Sequence, residues 1–582
     1  MWILKKFISE EEDVYVYNGA DEVPMNVTLV RVHHSVSIIP QSAFQDRRKL
    51  EVVLLPEGLM RIDKKAFKDC KSLKRISLPS TVQEIRDSAF EDCKKLDDII
   101  LPPGLQILGS KTFANCNSLQ TINIPPGIEE IEEEAFYDCN SLTNVSFSEG
   151  LQEIGNDAFT FCESLESVIL PSSLKVIGCV AFEFCSKLNQ IYIHDNVETI
   201  RSRAFNCCKL ASFRMPPLVT KVDMKDIGEI NCMVSIELSE NVTRIGDSIN
   251  DYSDGNLYER KSIRNIALPP DSIVTGDVWS WYKDLKVAFP NAGNDVDDNN
   301  GGTISNALKQ RFDKLPIHKI CYYQSYSDSE TIMQSLKREI HGETTMQYLK
   351  RVTNPWTSNP PGQLNTSGKE QDCLGMTPLH ILACSTKPTI EMYQLLIEKY
   401  PETLIMKDKW GDIPLLYAFW CNVPTEVLDL LVWSYKTLHP DYEINWKDML
   451  LTLTKANVPL TNIQRLINTQ RDSFPDQEYD MQAVVMELAT YDTGQASFNK
   501  PFTPTSVVQY LLQISISKRL DSLGISRWRV DLEHCISILS GYNGGYSNAT
   551  KRDRDTQAVY DRLATYESIK EGTSVLELVM EG

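Results

Sequence analysis

Long apolar segments and export signals are missing from this 582-residue sequence. No run of about 18 uncharged apolar residues occurs, so we expect no segment that spans a membrane. Near the start, Lys5 and Lys6 interrupt the apolar residues, and an acidic run follows at 10–13. A signal peptide instead places a longer apolar run after its positive end. We therefore predict a cytoplasmic protein without a membrane span.

Motifs for catalysis and for metal binding are also missing. The sequence has no G-x-x-x-x-G-K-[ST] or G-x-G-x-x-G phosphate loop and no G-x-S-x-G serine elbow. It has no C-x-x-C pair, so a zinc ribbon or a thioredoxin-like site has no support. His33 and His34 lack cysteine or carboxylate partners at ligand spacing. We predict no catalytic residue, no cofactor and no metal.

Positive charge is in short supply. The chain has 59 Lys and Arg against 79 Asp and Glu, for a net charge of −20. Such a surface repels a phosphate backbone, so we predict no binding to nucleic acid. The composition is 42% hydrophobic and 24% charged, which permits a sizeable core. The 15 cysteines are too sparse for a small disulfide scaffold.

What the sequence does contain is a repeat of 23 residues. Cysteine follows the phenylalanine of the repeat three residues later in seven copies, and alanine precedes it in all copies but one, where Thr112 stands. Equal spacing without insertions indicates stacked structural units. The phenylalanines are Phe44, Phe67, Phe90, Phe113, Phe136, Phe159, Phe182 and Phe205.

One repeat contains a short strand that Pro79 ends, because proline has no backbone N–H to donate. Ile76 and Leu78 lie two residues apart and share one face of this strand. Ala89 and Phe90 are predicted to open a short helical turn. A single copy cannot bury its apolar residues, whereas stacked copies bury them against their neighbours. We expect about ten or eleven rungs, each adding one strand to a parallel sheet.

This unit resembles the leucine-rich repeat, and more closely the 23-residue repeat of the BspA-like type, over roughly residues 30–275. The resemblance rests on the strand, the proline and the Ala-Phe-x-x-Cys-x-x-Leu segment. It implies a solenoid that binds ligands or proteins without catalysis. Family members include bacterial and protozoan surface proteins as well as sets that look intracellular.

The second half resembles ankyrin repeats. Residues 377–380 read TPLH and follow Asp372, and a related segment, IPLL, stands 36 residues later at 413–416. His380 and Cys384 are one helical turn apart, which is a metal-ligand spacing. The resemblance instead assigns His380 a hydrogen bond at the start of a helix, so we favour the structural role.

The fold class predicted is an α/β leucine-rich repeat solenoid, with a parallel sheet on one face, followed by an all-α ankyrin-like array of helix pairs with a helical cap. We place an N-terminal cap at 1–30 and the solenoid at 31–290. A flexible linker rich in Asn, Asp and Gly follows at 291–305. Divergent ankyrin-like repeats occupy 306–515, and the C-terminal helical cap occupies 516–582.

The repeated cysteines allow three interpretations. Adjacent rungs bring them about 5 Å apart, which permits disulfides, and a column of thiols also suits a soft metal. The third interpretation, which we favour, is a small buried hydrophobe repeated in the core.

The outward positions of the predicted strands form a candidate binding face, because sheet faces are where solenoids usually bind. We expect a non-enzymatic scaffold that binds other proteins through its two sets of repeats. The alternative is a secreted or cell-surface adhesive protein of the BspA-like type, and a third is an enzyme with a site in the C-terminal helices. The candidate residues are Arg75, Ser77, Asp98, Thr121, Asn123, Asn144, Ser146, Ser167, Gln190 and Tyr192.

Overall fold

A computed structural model describes residues 14–223, 232–246, 263–275, 283–289, 303–341, 366–387 and 389–481, with single helical positions up to 514. The chain divides into two compact units. The first comprises Met1–Ser253 and Arg260–Leu430, and the second comprises Asp254–Glu259 and Leu431–Gly582.

The first of the two strands in each repeat pairs with the first strand of the neighbouring repeats, and we call the result the first ladder. Within four groups of neighbouring rungs, each strand pairs in parallel with its equivalent one repeat later. Asp98 supplies a single bridge to Arg75. The strands are β1 Tyr15–Tyr17, β2 Leu29–Val32, β4 Val52–Leu54, β6 Arg75–Ser77, β9 Thr121–Ile124, β11 Asn144–Phe147, β13 Ser167–Ile169, β15 Gln190–Tyr192, β17 Ser212–Arg214, β19 Ser235–Glu237 and β21 Asn265–Ile266.

A second ladder of shorter strands runs beside the first, and it too is parallel throughout the described residues. In nearly every rung, a strand of the second ladder follows the strand of the first ladder along the chain. Most rungs therefore contribute one strand to each ladder. The strands are β3 Ile38–Ile39, β5 Arg61–Ile62, β7 Glu84–Ile85, β8 Ile107–Leu108, β10 Glu130–Ile131, β12 Glu153–Ile154, β14 Val176–Ile177, β16 Thr199–Ile200, β18 Lys221–Asp223, β20 Arg244–Gly246 and β22 Ile273–Thr275.

The segment around each phenylalanine is a series of turns rather than the expected helical turn. Ser42 and Asp46 have positive φ angles of 58° and 63°, and the same two positions are left-handed in all eight copies. The amides of Ser42, Phe44 and Asp46 therefore point along the solenoid and donate to carbonyls of the next rung at 2.7–3.0 Å. A helix would direct these amides to its own carbonyls. Asp and Asn, common at the second position, tolerate this conformation better than most residues.

The phenylalanines stack as one column in the core. All eight are fully buried, and neighbouring rings lie 4.9–5.6 Å apart, nearly parallel. Tyr17 closes one end of the column with an edge-on contact to Phe44 at 4.9 Å. The sequence-based prediction of a parallel solenoid with a phenylalanine core is confirmed.

Helices follow the solenoid, as predicted. Proline at the first position of three of them suits a helix start, where its missing N–H is not needed. Short 3₁₀ turns lie at Gln324–Tyr326, Thr366–Lys369 and Pro401–Leu404. The helices are α1 Lys283–Ala288, α2 Thr303–Lys309, α3 Pro316–Tyr323, α4 Ser329–Ile340, α5 Pro378–Ala383, α6 Ile390–Lys399, α7 Pro414–Trp420, α8 Thr425–Leu438, α9 Trp446–Lys455 and α10 Leu460–Ser473.

We call the helices from α2 to α7 the helical array. Two of its loops repeat the same hydrogen bonds 36 residues apart. The Oδ1 of Asp372 accepts from the amides of Leu374 and Met376, and the Oδ1 of Asp408 accepts from those of Trp410 and Asp412, at 2.8–3.0 Å. Whether these copies are ankyrin repeats stays a prediction.

The helical array packs directly on the last described rungs of the solenoid. The Tyr322 hydroxyl donates to the Ile236 carbonyl at 2.6 Å and accepts from the amides of Leu238 and Ala267 at 3.2 and 3.1 Å. It thereby joins β19 and β21. The indole N–H of Trp420 donates to the Cys232 carbonyl at 2.8 Å.

Two buried arginines reinforce this packing. Arg311 donates to Asn265 at 2.8 Å and to the Ile266 carbonyl at 2.9 Å, and it forms an ion pair with Asp372 at 2.7 Å. Neither side chain of that pair is exposed. Arg264 pairs with both Asp284 and Asp412 at 2.8 and 2.7 Å. Separating the partners of such a buried pair is costly.

Within the second unit, the rings of Trp446 on α9 and Phe474 lie 5.2 Å apart. The Trp446 N–H also donates to Gln477 at 2.9 Å.

The predicted domain boundaries meet the described residues only in part. Residues 1–13 of the predicted N-terminal cap lie outside them, as does the predicted C-terminal cap at 516–582. Of the predicted linker at 291–305, only the last three residues are described, and they belong to α2. The boundaries stay predictions.

Phe136→Ala is expected to lower the free energy of unfolding by about 3–5 kcal/mol, because it removes a fully buried ring from the middle of the column. Phe44→Ala, near the end, is expected to cost less, since solenoid stability is a sum over neighbouring rungs. Chemical denaturation checks both. Ile169→Ala, 72% exposed, is the control and should change stability by less than about 0.5 kcal/mol. Equal, negligible losses for both phenylalanines would contradict the core role.

Proteolytic cleavage within 291–302 is expected to leave two fragments that stay together. The buried contacts of Arg311, Tyr322 and Trp420 hold the helical array on the solenoid without that segment. Native size-exclusion chromatography should elute the digest at the volume of the uncut chain, with both fragments in that peak. In denaturant the two fragments, which are of nearly equal length, should elute together and later than the unfolded uncut chain. Elution of the digest later than the uncut chain in native buffer would show that these contacts do not make a stable interface.

Candidate functional site

The ten candidate residues all lie on the outer side of the first ladder, and all ten are exposed. They form two columns because alternate side chains of a strand point to opposite faces. The register places Asn144 beside Thr121 and Ser146 beside Asn123, and it places Ser167 beside Gln190. The buried residues between them, such as Ile122 and Val145, face the core.

Four successive rungs of this surface carry no charged side chain at the outward positions. We call these eight residues the neutral strip. Two of its members are apolar or aromatic: Ile169 is 72% exposed and Tyr192 is 37% exposed. The strip is unusual in a chain of net charge −20. Its members are Thr121, Asn123, Asn144, Ser146, Ser167, Ile169, Gln190 and Tyr192.

The strip ends where the helical array begins. In the next three rungs the residues at outward positions include Arg214, Ser235, Glu237 and Asn265, and these four are buried. Glu237 accepts from the amide of Thr386 at 2.8 Å. The array therefore covers the continuation of the same face.

Lys387 marks the edge of the covered part. Its Nζ donates to the Tyr192 hydroxyl at 3.0 Å and lies 4.3 Å from the centre of that ring. In the adjacent rung, the Ser212 hydroxyl donates to the Cys384 carbonyl at 2.6 Å. The free strip is thus bounded on one side by side chains of the helical array.

The repeated cysteines lie in the core, as we favoured. Each thiol donates to the carbonyl of the phenylalanine in the preceding rung: Cys70 to Phe44 at 3.0 Å and Cys139 to Phe113 at 3.2 Å are examples. All seven contacts fall between 3.0 and 3.3 Å. None of the described cysteines forms a disulfide.

Burial makes these thiols poor nucleophiles. It raises the pKa of Cys70 to about 12 and raises the pKa of Cys93 and Cys116 well above the usual thiol value. The thiolate is the reactive form. The column therefore serves packing and hydrogen bonding between rungs.

The buried histidines of the helical array also have structural partners. His380 Nδ1 accepts from the Thr377 amide at 3.1 Å, and its Nε2 lies 3.0 Å from the Asp412 carbonyl. Burial lowers the pKa of His380 and of His318 to about 4, so both are neutral at pH 7. The described part of the chain contains no cluster of three His, Cys, Asp or Glu side chains arranged to hold a metal. Nor does any described helix have the length and apolar character of a membrane span.

The strands, the buried leucines and the stacked rungs together define a leucine-rich repeat solenoid. Residues 24–140 and 106–227 match the model of the BspA type leucine rich repeat region, with six copies. Residues 24–227 are therefore a leucine-rich repeat region of the BspA type.

Solved structures with a similar chain trace include leucine-rich repeat proteins of bacteria. One from Bacteroides ovatus is 22% identical, covering 46% of this chain and 80% of its own, with a TM-score of 0.36. The leucine rich repeat protein of T. pallidum is 25% identical, covering 32% and 76%, with a TM-score of 0.22. A leucine rich cell surface protein from Faecalibacterium prausnitzii is 21% identical, covering 46% and 89%, with a TM-score of 0.26. Among curated proteins there is no match.

The predicted cytoplasmic location is wrong. The matched BspA repeat type is that of cell-surface and secreted bacterial proteins, which points away from the cytoplasm. The repeat family supports a binding scaffold and is generally non-enzymatic.

Sequence reasoning did not find the covered part of the sheet face. The decay of the repeat after Cys208 and the charged residues Arg214 and Glu237 at outward positions were the available signals. Tyr322 and Arg311 carry no periodic signal, so their role depends on knowing the fold.

The seven core cysteines are expected to be silent towards a thiol reagent in the folded protein. Their raised pKa values keep them protonated, so increasing the pH from 7 to 9 should not speed their reaction. Partly buried Cys179, Cys207 and Cys421 should account for most native-state labelling of the described cysteines, because burial also raises the pKa of Cys373 to about 11. Titration in denaturant without reductant should then recover all 15 thiols. Recovery of further thiols only after adding reductant would reveal cross-linked rungs.

Proposed function

We propose that the chain is a cell-surface or secreted recognition protein that binds other proteins through the neutral strip. The observation that carries this proposal is the uncharged, exposed strip on a chain of net charge −20. Charged side chains are depleted at the centres of protein interfaces, and the rest of a surface is rich in them. The neutral strip, which has no charged side chain, therefore resembles the centre of a protein interface.

The side chains of the strip suit adaptable polar recognition. Amides and hydroxyls donate and accept hydrogen bonds, and a tyrosine supplies a large contact area at low entropic cost. Tyr192 lies beside Ile169 in register, so an aromatic and an aliphatic side chain stand together at one end. We expect them to anchor the partner while the amides and hydroxyls set its orientation.

Arg75, Ser77 and Asp98 extend this surface towards the start of the chain and add charge. Arg75 already pairs with Asp97 at 3.7 Å, so this end is less free to attract a charged partner. We propose binding without catalysis and no affinity for nucleic acid, which the net charge would repel.

Arginine substitutions test the strip. Asn144→Arg together with Ser167→Arg is expected to weaken partner binding on the order of tenfold or more, because the new charges must be desolvated in an uncharged interface. Thr199→Arg, at an exposed position of the second ladder, is the matched control and should bind normally. The measurement is capture of proteins from the native medium on each immobilised variant, followed by affinity determination for those that the wild type retains.

The dependence on salt gives a second readout. An interface without charged pairs should keep its affinity between low and high ionic strength, since salt screens only charges. A steep loss of affinity with salt, or equal binding by both arginine variants, would refute the strip as the site.

A further inference from the structure

A cleft of about 520 Å³ lies inside the first compact unit, apart from the neutral strip. Its walls are the solenoid turn at 239–241, helix α3, the 3₁₀ turn after it and helix α4. This volume lies within the range of small-molecule sites, roughly 300–1,000 Å³.

One residue that lines the cleft has a buried side-chain donor without a partner among the described residues. Gln324 is only 3% exposed, and its Nε2 has no hydrogen-bond partner among the described residues. A buried donor without an acceptor costs free energy, so such groups are rare in folded proteins. An unpaired amide lining a cleft therefore points to an acceptor supplied by a ligand.

The backbone around Gln324 is held in place on both sides. Tyr322 joins β19 and β21 through its hydroxyl, and the Tyr326 hydroxyl lies 2.8 and 2.7 Å from the carbonyls of Met215 and Glu237. Gln324 sits between these two anchors in the 3₁₀ turn. The turn that carries Gln324 is therefore held in place, which reduces the entropy lost when a ligand binds there.

The other walls combine apolar area with balanced charge. The half-buried ring of Tyr323 and the side chain of Ile332 supply apolar surface. Lys319 forms an ion pair with Glu240 at 2.7 Å, and Arg338 lies 3.8 Å from Glu339. These charges cancel in pairs, so the cleft offers no net charge to attract an ion.

We propose that this cleft binds a small, planar, uncharged molecule that carries a carbonyl oxygen, and that the Gln324 amide donates to that oxygen. The planar body lies against Tyr323. This site is independent of the protein-binding strip and adds a small-molecule ligand to the scaffold.

Three probes of similar size test whether binding requires a carbonyl acceptor and whether it tolerates charge. Benzamide is neutral and carries the carbonyl acceptor, benzoate carries an acceptor with a negative charge, and protonated benzylamine carries no acceptor. Ligand-observed saturation-transfer NMR on the full chain should show benzamide binding most strongly, benzoate more weakly and benzylamine not at all. Equal signals from benzamide and benzylamine would overturn the proposal, as would no signal from benzamide.

Two variants separate a ligand site from a structural role. Gln324→Leu should abolish the benzamide signal while raising the denaturation midpoint, because it removes an unpaired buried polar group. Gln324→Met, which nearly keeps the length of the side chain and removes the donor, should also abolish the signal. Gln334→Leu, at an exposed position of α4, is the control and should bind normally. A loss of stability in Gln324→Leu would show that the amide has a structural partner and would overturn the proposal, as would unchanged binding.

Discussion

Hydrogen bonding between successive rungs is the constraint on which the rest of this structure depends. The amide of Phe67 donates to the carbonyl of Ala89 in the next rung at 2.8 Å, and the thiol of Cys93 donates back to the Phe67 carbonyl at 3.2 Å. Each rung is therefore tied to its neighbour in both directions. The ring stacking, the two ladders and the columns of exposed side chains all follow from this register.

One sheet face serves two purposes along its length. Its last described rungs are covered by the helical array, which buries the outward side chains of Arg214, Ser235, Glu237 and Asn265. Its middle rungs stay free and carry the neutral strip. Tyr192 stands at the transition, in contact with Lys387 of the array. A partner on the strip would meet a rigid edge built by the same chain, which gives the surface a defined end.

The exact 23-residue spacing made the parallel solenoid, the buried phenylalanines and the outward columns predictable, because each repeat reports the same environment as the next. Alternation within a strand also placed Asn144 and Ser146 on one face. Spacing could not reveal that Ser42 and Asp46 adopt left-handed conformations, since these are side-chain types that many turns accept. The packing by Arg311 and Tyr322 was hidden as well, because single long-range contacts leave no pattern in a sequence. The cellular location, too, was not decided by the first residues of the chain.

The ladders keep their register even where the chain between them lengthens. Ser235 pairs with Asn265 and Arg244 pairs with Ile273, although 30 and 29 residues separate these partners instead of 23. The additional residues enter between Gly246 and Asn265, after a strand of the second ladder. This corner of the rung therefore accommodates additional residues without interrupting the strand pairing of either ladder. A designer who wished to display a foreign loop on this scaffold would graft it at the same corner of an earlier rung.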